Sequence, residues 1–158
     1  MLEAHAETVI ARPTPQVFRF VADDFPETYP RWSPEVEELT VLSRGPIQPG
    51  WQARQVRIDK GRRTEATFQV SDYAPGRRIA FEGISRPFFI DYQFEPLGDD
   101  TRFSFSFELR HLDLIWRPFK GMIRSAIRDI AEESVKHVKA FAEAEISPNL
   151  ENPAAQRD

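Results

Sequence analysis

The clearest pattern in the chain is an alternation of apolar and polar residues near its last third. Phe103, Phe105, Phe107 and Leu109 fall on one side of an extended chain, with serine, glutamate and arginine residues between them. Successive side chains of a β-strand point to opposite faces, so this alternation predicts a strand with one apolar and one polar face. The segment before it alternates in the same way, and its apolar positions are Phe88, Ile90, Tyr92 and Phe94.

The same analysis along the whole chain predicts seven strands. They cover residues 3–12, 36–42, 51–58, 63–73, 78–83, 88–95 and 101–111. The last six are joined by connections too short for parallel crossovers, which favours an antiparallel meander. Four earlier residues are expected to extend the apolar face: Phe68, Val70, Ile79 and Phe81. A sheet with one apolar face needs another structural element to pack against that face and shield it from water.

A long helix over residues 118–146 is predicted to be that element. Its apolar and small residues recur at steps of three and four positions, as on one face of an amphipathic helix. Pro118 suits the first helical turn, and Ser147-Pro148 ends the helix. At about 1.5 Å per residue the helix is roughly 43 Å long.

Two short helices are predicted between the first two strands. Thr14 as N-cap and Pro15 at the first helical position would begin a helix over 16–22. The run Asp23-Asp24-Phe25-Pro26 ends it, and residues 27–32 form a further helical turn.

Composition narrows the protein class. A length of 158 residues suits one domain, expected over 1–146, with a disordered polar tail over 147–158. Cysteine is absent, which excludes disulfides and thiolate sites. The start of the sequence lacks the features of a signal peptide, and no apolar run approaches the ~20 residues of a membrane span. We therefore expect a cytoplasmic protein, and the net charge of −4 argues against a nucleic-acid partner.

The chain also lacks the motifs of several enzyme classes. It contains no phosphate-binding loop, no dinucleotide fingerprint, no nucleophile elbow and no His-Glu-x-x-His motif. Its histidines, His5, His111 and His137, show no metal-ligand spacing. We therefore expect no cofactor and no metal.

Residues 10–34 resemble the opening of a known family. The residues that carry the resemblance are Ile10, Pro13, Val17-Phe18, Val21, Asp23, Pro30 and Trp32-Ser33-Pro34. They are similar to the polyketide cyclase/dehydratase and lipid-transport (SRPBCC) family of the START-like helix-grip superfamily. The resemblance implies an α+β helix-grip fold, in which a curved antiparallel sheet of about seven strands wraps a long C-terminal helix. It carries over no catalytic residue, because the family's catalytic residues follow no common motif.

On such a fold the sheet and the helix leave a gap that side chains or a ligand must fill. We expect a hydrophobic-ligand cavity lined by Trp32, Phe68, Phe81, Tyr92, Phe103, Phe105, Phe107, Phe119, Ile123 and Ile127. The expected function is that of a carrier or sensor for a lipid, quinone or aromatic polyketide-like compound. The alternative for these aromatic residues is that they fill the core.

Three residues are candidates for catalysis. Tyr92 and His111 share the inner face by parity, and His137 lies at the edge of the helix's apolar stripe, with Glu133 one turn away. They would serve the second hypothesis, a cofactor-independent cyclase or dehydratase acting in the same cavity. The competing interpretation is that each histidine is structural. We expect a binding protein rather than an enzyme.

The start of the long helix is basic. Arg117, Lys120, Arg124 and Arg128 lie beside an apolar segment that includes Trp116. This combination suits transient contact with an anionic membrane surface, and ordinary salt bridges, such as Arg128 with Glu132, are the alternative. The third functional hypothesis is a protein-interaction module that uses the cavity mouth or this basic flank.

Overall fold

A computed structural model describes residues 2–148. It contains seven strands: β1 (Leu2–Ile10), β2 (Val36–Val41), β3 (Gln52–Asp59), β4 (Arg62–Ala74), β5 (Arg78–Gly83), β6 (Phe88–Leu97) and β7 (Asp100–Leu109). They form one antiparallel sheet in the order β1-β7-β6-β5-β4-β3-β2. The meander and the α+β helix-grip fold are confirmed. Most of the predicted tail, from residue 149 onward, lies outside the described residues.

Irregularities in pairing bend the sheet. The register shifts between Val70 and Asp72 where β4 pairs with β5, and between Val36 and Glu38 where β2 pairs with β3. Such bulges insert an unpaired residue and bend the strand that carries it. The bent sheet has a concave face, which its aromatic residues line.

The inner face is a continuous aromatic layer. Tyr92 lies 5.9 Å from Phe103, 5.2 Å from Phe105 and 5.9 Å from Phe81, measured between ring centroids. All four residues are buried. The predicted alternation of β6 and β7 therefore places their aromatic side chains in the core.

The segment between β1 and β2 contains α1 (Thr14–Phe18), a π-helical turn (Arg19–Asp23) and α2 (Phe25–Trp32). The predicted N-cap at Thr14 is wrong, because Pro13 occupies the cap position. The Thr14 hydroxyl instead forms a buried 2.9 Å hydrogen bond with the hydroxyl of Thr101 on β7. That bond ties α1 to the sheet rather than to its own helix terminus.

The long helix, α3 (Lys120–Glu145), begins two residues later than predicted. A 3₁₀ segment (Leu114–Phe119) precedes it and contains the predicted first residue, Pro118. The apolar stripe becomes buried only from Ile127 onward, whereas Met122 is 69% exposed. In the first two turns of α3, before Ile127, only Ile123 packs against the core.

Polar contacts hold the other end of α3 in place. Lys139 donates to the backbone oxygen of Val9 at 2.7 Å, and the Glu143 carboxylate accepts from the backbone N–H of Ala11 at 2.8 Å. Arg12 donates to the oxygen of Ile146 at 2.7 Å. The C-terminal half of α3 is thus fixed along β1. No helix within residues 2–148 is long and apolar enough to cross a membrane.

Candidate ligand cavity

A cavity with two connected compartments lies between the sheet, α2 and α3. The inner compartment has a volume of about 200 Å³. Its apolar walls are formed by Trp32, Ala66, Phe88, Ile90, Tyr92, Phe105, Phe107 and Ile130. A wall of this composition suits an apolar ligand, since most small-molecule pockets are apolar with a few placed polar groups.

The outer compartment has a volume of about 300 Å³. It lies between α3, which contributes Ala126 and His137, and the β3–β4 hairpin, which contributes Lys60 and Arg62. The two compartments share six lining residues: Trp32, Ser33, Arg57, Asp59, Ile130 and Ser134. The two compartments therefore adjoin, and charged side chains such as Lys60, Arg62 and Asp129 line only the outer one.

The β3–β4 hairpin beside the outer compartment depends on the backbone conformation of its turn. Lys60 and Gly61 form a two-residue turn, with φ angles of 51° and 82°. Two consecutive left-handed residues match the twist of paired strands, and glycine adopts this conformation without steric cost. The turn brings Asp59 and Arg62 to the rim of the cavity.

Arg57 is the centre of a polar network at the junction of the compartments. Its guanidinium donates to both carboxylate oxygens of Asp59, at 2.9 and 3.2 Å. It also donates to the Tyr29 hydroxyl at 3.1 Å and to the Ser33 hydroxyl at 3.3 Å. Tyr29 in turn donates to Gln55 at 2.7 Å. Most of the donors of this guanidinium are therefore used within the protein.

Local sequence explains why these groups converge. Gln55, Arg57 and Asp59 alternate along β3 and share its inner face. On α2, Tyr29 and Trp32 are three positions apart, so both side chains lie on the face that covers the sheet. Strand and helix periodicity thus direct the polar side chains to one point.

Burial controls the protonation of the cavity tyrosines. Burial raises the pKa of Tyr92 well above its ordinary value. Burial also raises the pKa of Tyr29, although Arg57 partly opposes that shift. Burial alone would lower the pKa of Arg57, but its neighbours Tyr29 and Asp59 raise it. Near neutral pH both tyrosines are therefore neutral hydrogen-bond donors, and Arg57 is a cation.

Two polar groups at the cavity have no hydrogen-bond partner in the described part of the chain. The Tyr92 hydroxyl forms no hydrogen bond with another described residue. The indole N–H of Trp32 is buried and likewise has no partner within residues 2–148. An unsatisfied buried donor such as the Trp32 N–H costs about 1–3 kcal/mol, whereas Tyr92 lines the cavity and its hydroxyl can donate to an acceptor there.

The predicted wall residues fall into three groups. Trp32, Tyr92, Phe105 and Phe107 line the inner compartment. Phe68 and Phe81 line a void of about 20 Å³ behind it, which also touches Tyr92. The structure places the remaining predicted residues elsewhere: Phe103, Phe119, Ile123 and Ile127.

Different causes remove those four residues from the cavity. Phe103 is fully buried beneath Tyr92 and Phe94, so its ring fills the core. Ile127 is buried and Ile123 packs against the core. Phe119 is 46% exposed, because it ends the 3₁₀ segment and its ring lies beside Trp116 rather than the sheet.

The three candidate catalytic residues do not converge. Tyr92 lies in the inner compartment, and His137 lies at the outer one, 3.5 Å from Glu133. His111 follows the end of β7, is exposed and contacts Asp113 at 3.0 Å. Within residues 2–148, no group of three or more histidine, aspartate or glutamate side chains is arranged to hold a metal ion.

The polar network around Arg57 was not predicted from the sequence. Parity places Gln55 and Arg57 on the inner face of β3, whereas the apolar residues Val56 and Ile58 point the other way. An assignment that turns apolar residues inward therefore gives the wrong face for this strand. The sequence carries no signal that corrects this, because the register that sets Gln55 opposite Ala66 on the buried face is known only from the structure.

Comparison with known proteins agrees with the fold. A family model described as polyketide cyclase / dehydrase and lipid transport matches residues 1–143. A search of curated proteins finds no match.

Several solved structures are similar. TTHA0849 from Thermus thermophilus superposes with a TM-score of 0.78 at 20% identity, over 92% of this chain and 99% of that one. The Zhui aromatase/cyclase from Streptomyces sp. R1128 superposes with a TM-score of 0.75 at 18% identity, over 92% of this chain and 95% of that one. A START superfamily protein from Mycobacterium smegmatis superposes with a TM-score of 0.73 at 19% identity, over 90% of this chain and 97% of that one. At these identities the likeness concerns the fold alone.

Proposed function

Because the chain belongs to the polyketide cyclase/dehydrase and lipid transport family, we propose that its cavity binds a small, neutral, apolar molecule with an oxygen acceptor. Quinones and aromatic polyketide-like compounds have this chemistry. The protein would act as a carrier or sensor of that molecule. The proposal concerns the ligand class and the role, which the family relationship leaves open.

The proposal rests on a difference between the polar groups of the cavity: some are hydrogen-bonded within the protein and one is not. Arg57 is occupied by Asp59, Tyr29 and Ser33, whereas Tyr92 projects from an aromatic wall without a described partner. A flat apolar body would pack against the aromatic wall, and its oxygen would accept from the Tyr92 hydroxyl.

The electrostatics favour a neutral ligand over an anion. The charge of Arg57 is neutralised by Asp59, and Glu35 lies 3.7 Å from the same guanidinium. Arg86, the other cation that lines the inner compartment, is exposed and donates to the backbone oxygen of Glu65. An anionic ligand would therefore lose its hydration and gain only a charge that solvent already screens. A carbonyl or phenol oxygen requires only a neutral donor, which Tyr92 supplies.

Three naphthalene-based probes test this ligand class. We expect menadione, a neutral naphthoquinone, to quench the fluorescence of buried Trp32 and to bind more tightly than naphthalene or naphthoate. Tyr92→Phe should weaken menadione binding by about fivefold, the effect of one neutral hydrogen bond of ~1 kcal/mol. The same substitution should leave naphthalene binding unchanged, since naphthalene accepts no conventional hydrogen bond.

Tyr73→Phe is the matched control, because the Tyr73 hydroxyl donates to Asp23 at 2.6 Å and does not line the cavity. Tighter binding of naphthoate than of menadione would contradict the neutral-ligand proposal. Equal loss of naphthalene and menadione binding in Tyr92→Phe would show that the hydroxyl supports packing rather than the ligand oxygen.

The cyclase or dehydratase hypothesis has less support. Such chemistry needs an acid and a base that face one substrate. Tyr92 remains protonated near neutral pH, His137 lies in the other compartment, and His111 is exposed. Turnover of a polyketide-like substrate that is abolished by Tyr92→Phe would favour the enzyme hypothesis instead.

A further inference from the structure

Outside the cavity, the most unusual surface lies at the 3₁₀ segment and the first turn of α3. Its large apolar side chains are exposed: Leu114, Ile115, Trp116, Phe119 and Met122. Leu114 and Ile115 are 75% and 74% exposed, and no residue of the 3₁₀ segment is buried. A cluster of exposed apolar side chains of this kind marks an interaction site.

The same surface is strongly basic. Residues 110–128 contain five arginine and lysine residues and one acidic residue, whereas the whole chain has a net charge of −4. Arg117, Lys120, Arg124 and Arg128 form no ion pair with any residue between 2 and 148, and the predicted pair of Arg128 with Glu132 is not formed. We call the five apolar and four basic side chains the apolar–basic patch.

The position of these charges opposes the helix that carries them. The N-terminus of a helix has a positive dipole end, where anions are favoured and cations are not. Lys120 and Arg124 occupy the first two turns of α3 without a compensating carboxylate in the first turn. An external anionic surface would compensate these charges.

The apolar–basic patch borders the outer compartment of the cavity. The Arg62 guanidinium, on the β3–β4 hairpin, lies 5.6 Å from the centroid of the Trp116 ring. Arg62 also lines the outer compartment, together with Ala126 of α3. Whatever covers the patch therefore lies beside the outer compartment of the cavity.

We propose that the apolar–basic patch docks the protein on a membrane surface that contains anionic phospholipid. Apolar side chains would enter the region between headgroups and acyl chains, and the basic side chains would meet the phosphates. A second copy of the chain is a poor occupant, because it would oppose the same positive charges. A bilayer accepts projecting apolar side chains without a matching groove, which an acidic protein would have to supply.

Co-sedimentation with vesicles tests this proposal independently of what fills the cavity. We expect the full chain to bind vesicles of phosphatidylcholine with added phosphatidylglycerol and to remain free with phosphatidylcholine alone. Binding should weaken as salt rises. Lys120→Glu with Arg124→Glu should reduce binding roughly tenfold or more, since each basic residue near an anionic surface contributes about a fivefold effect.

The control for charge is Arg44→Glu with Arg77→Glu, which makes the same change in net charge at two exposed residues outside the patch. The control for apolar content is Val41→Ser with Leu42→Ser, also exposed. We expect neither control to lose binding, and we expect Leu114→Ser with Ile115→Ser to lose most of it. Because no 3₁₀ residue is buried, the patch variants should keep the wild-type melting temperature.

Trp116 provides a second readout, since the other two tryptophans, Trp32 and Trp51, are buried. Its emission should shift to shorter wavelength when anionic vesicles bind, and Trp116→Phe should remove the shift. Failure of the full chain to bind anionic vesicles would overturn the proposal, as expected if the patch served an acidic protein. Equal binding by the Lys120→Glu, Arg124→Glu variant and its control would overturn it as well.

Discussion

Replacing either partner of the Arg57–Asp59 pair should give unequal losses of stability. Both residues lie on β3, two positions apart, where the two compartments of the cavity meet. The Arg57 guanidinium donates to the Asp59 carboxylate at 2.9 and 3.2 Å. The Arg57 side chain is 16% exposed, whereas that of Asp59 is 37% exposed. The loss of stability therefore depends on which charged side chain remains unpaired. Asp59 can be hydrated when Arg57 is removed, whereas Arg57 stays largely buried when Asp59 is removed.

Arg57→Met leaves Asp59 able to hydrate, and Tyr29 keeps the hydrogen bond that it donates to Gln55. The expected loss in the free energy of unfolding is about 1 kcal/mol, the value of hydrogen bonds lost without an orphaned buried charge. Asp59→Ala leaves a buried guanidinium with neutral partners and with Glu35 at 3.7 Å. A broken buried pair costs ~3–5 kcal/mol, which the partial exposure here reduces to about 2–3 kcal/mol.

Urea denaturation followed by circular dichroism would measure both variants at neutral pH. An equal loss, or a larger loss for Arg57→Met, would refute the assignment of Arg57 as the desolvated partner. Menadione titration of the same variants gives a second check. Since Arg57 is occupied within the protein, Arg57→Met should change menadione affinity by less than about fivefold, the effect of one hydrogen bond.

Two further predictions concern the core. Gly83→Ala should destabilise the fold by about 3 kcal/mol, the upper end of the usual cost of overpacking, because the added Cβ would clash with the backbone oxygen of Arg86 and lie 2.8 Å from the Phe88 ring; a melting temperature within a degree or so of wild type would contradict this packing. Absorbance titration should show less tyrosinate at pH 10 in the folded protein than in the unfolded chain, since burial raises the pKa of all three tyrosines, that of Tyr73 to about 12. The unfolded chain loses these protons near pH 10, so stability should be complete below that pH and fall as pH rises through the raised pKa values; equal tyrosinate in the folded and unfolded protein at pH 10 would contradict it.

The sheet could be predicted from the sequence because its inner face is uniform. Phe103, Phe105 and Phe107 alternate with polar residues, and short connections permit only antiparallel neighbours. These signals are local, so one sequence is enough to identify them. The long helix was predictable for the same reason, since its stripe from Ile127 to Ala142 is buried as its period requires.

The polar part of the cavity could not be predicted, because it depends on contacts between distant segments. Tyr29 and Arg57 are 28 residues apart and meet only when α2 crosses β3. The burial of the first residues of the long helix was wrongly predicted for a related reason. Phe119 and Met122 follow the helical period of the buried stripe, yet no strand covers them. Periodicity predicts which residues share a face, whereas tertiary packing decides whether that face is covered.

The most direct test of the cavity is to fill it. Ser134 of α3 lines both compartments, so Ser134→Phe would place an aromatic ring at their junction. Ala144→Phe, at an exposed position on the same helix, is the matched control. We predict that Ser134→Phe abolishes menadione binding while the protein remains folded, and that Ala144→Phe binds as wild type. Wild-type menadione affinity in a folded Ser134→Phe protein would contradict the assignment of this cavity as the ligand site.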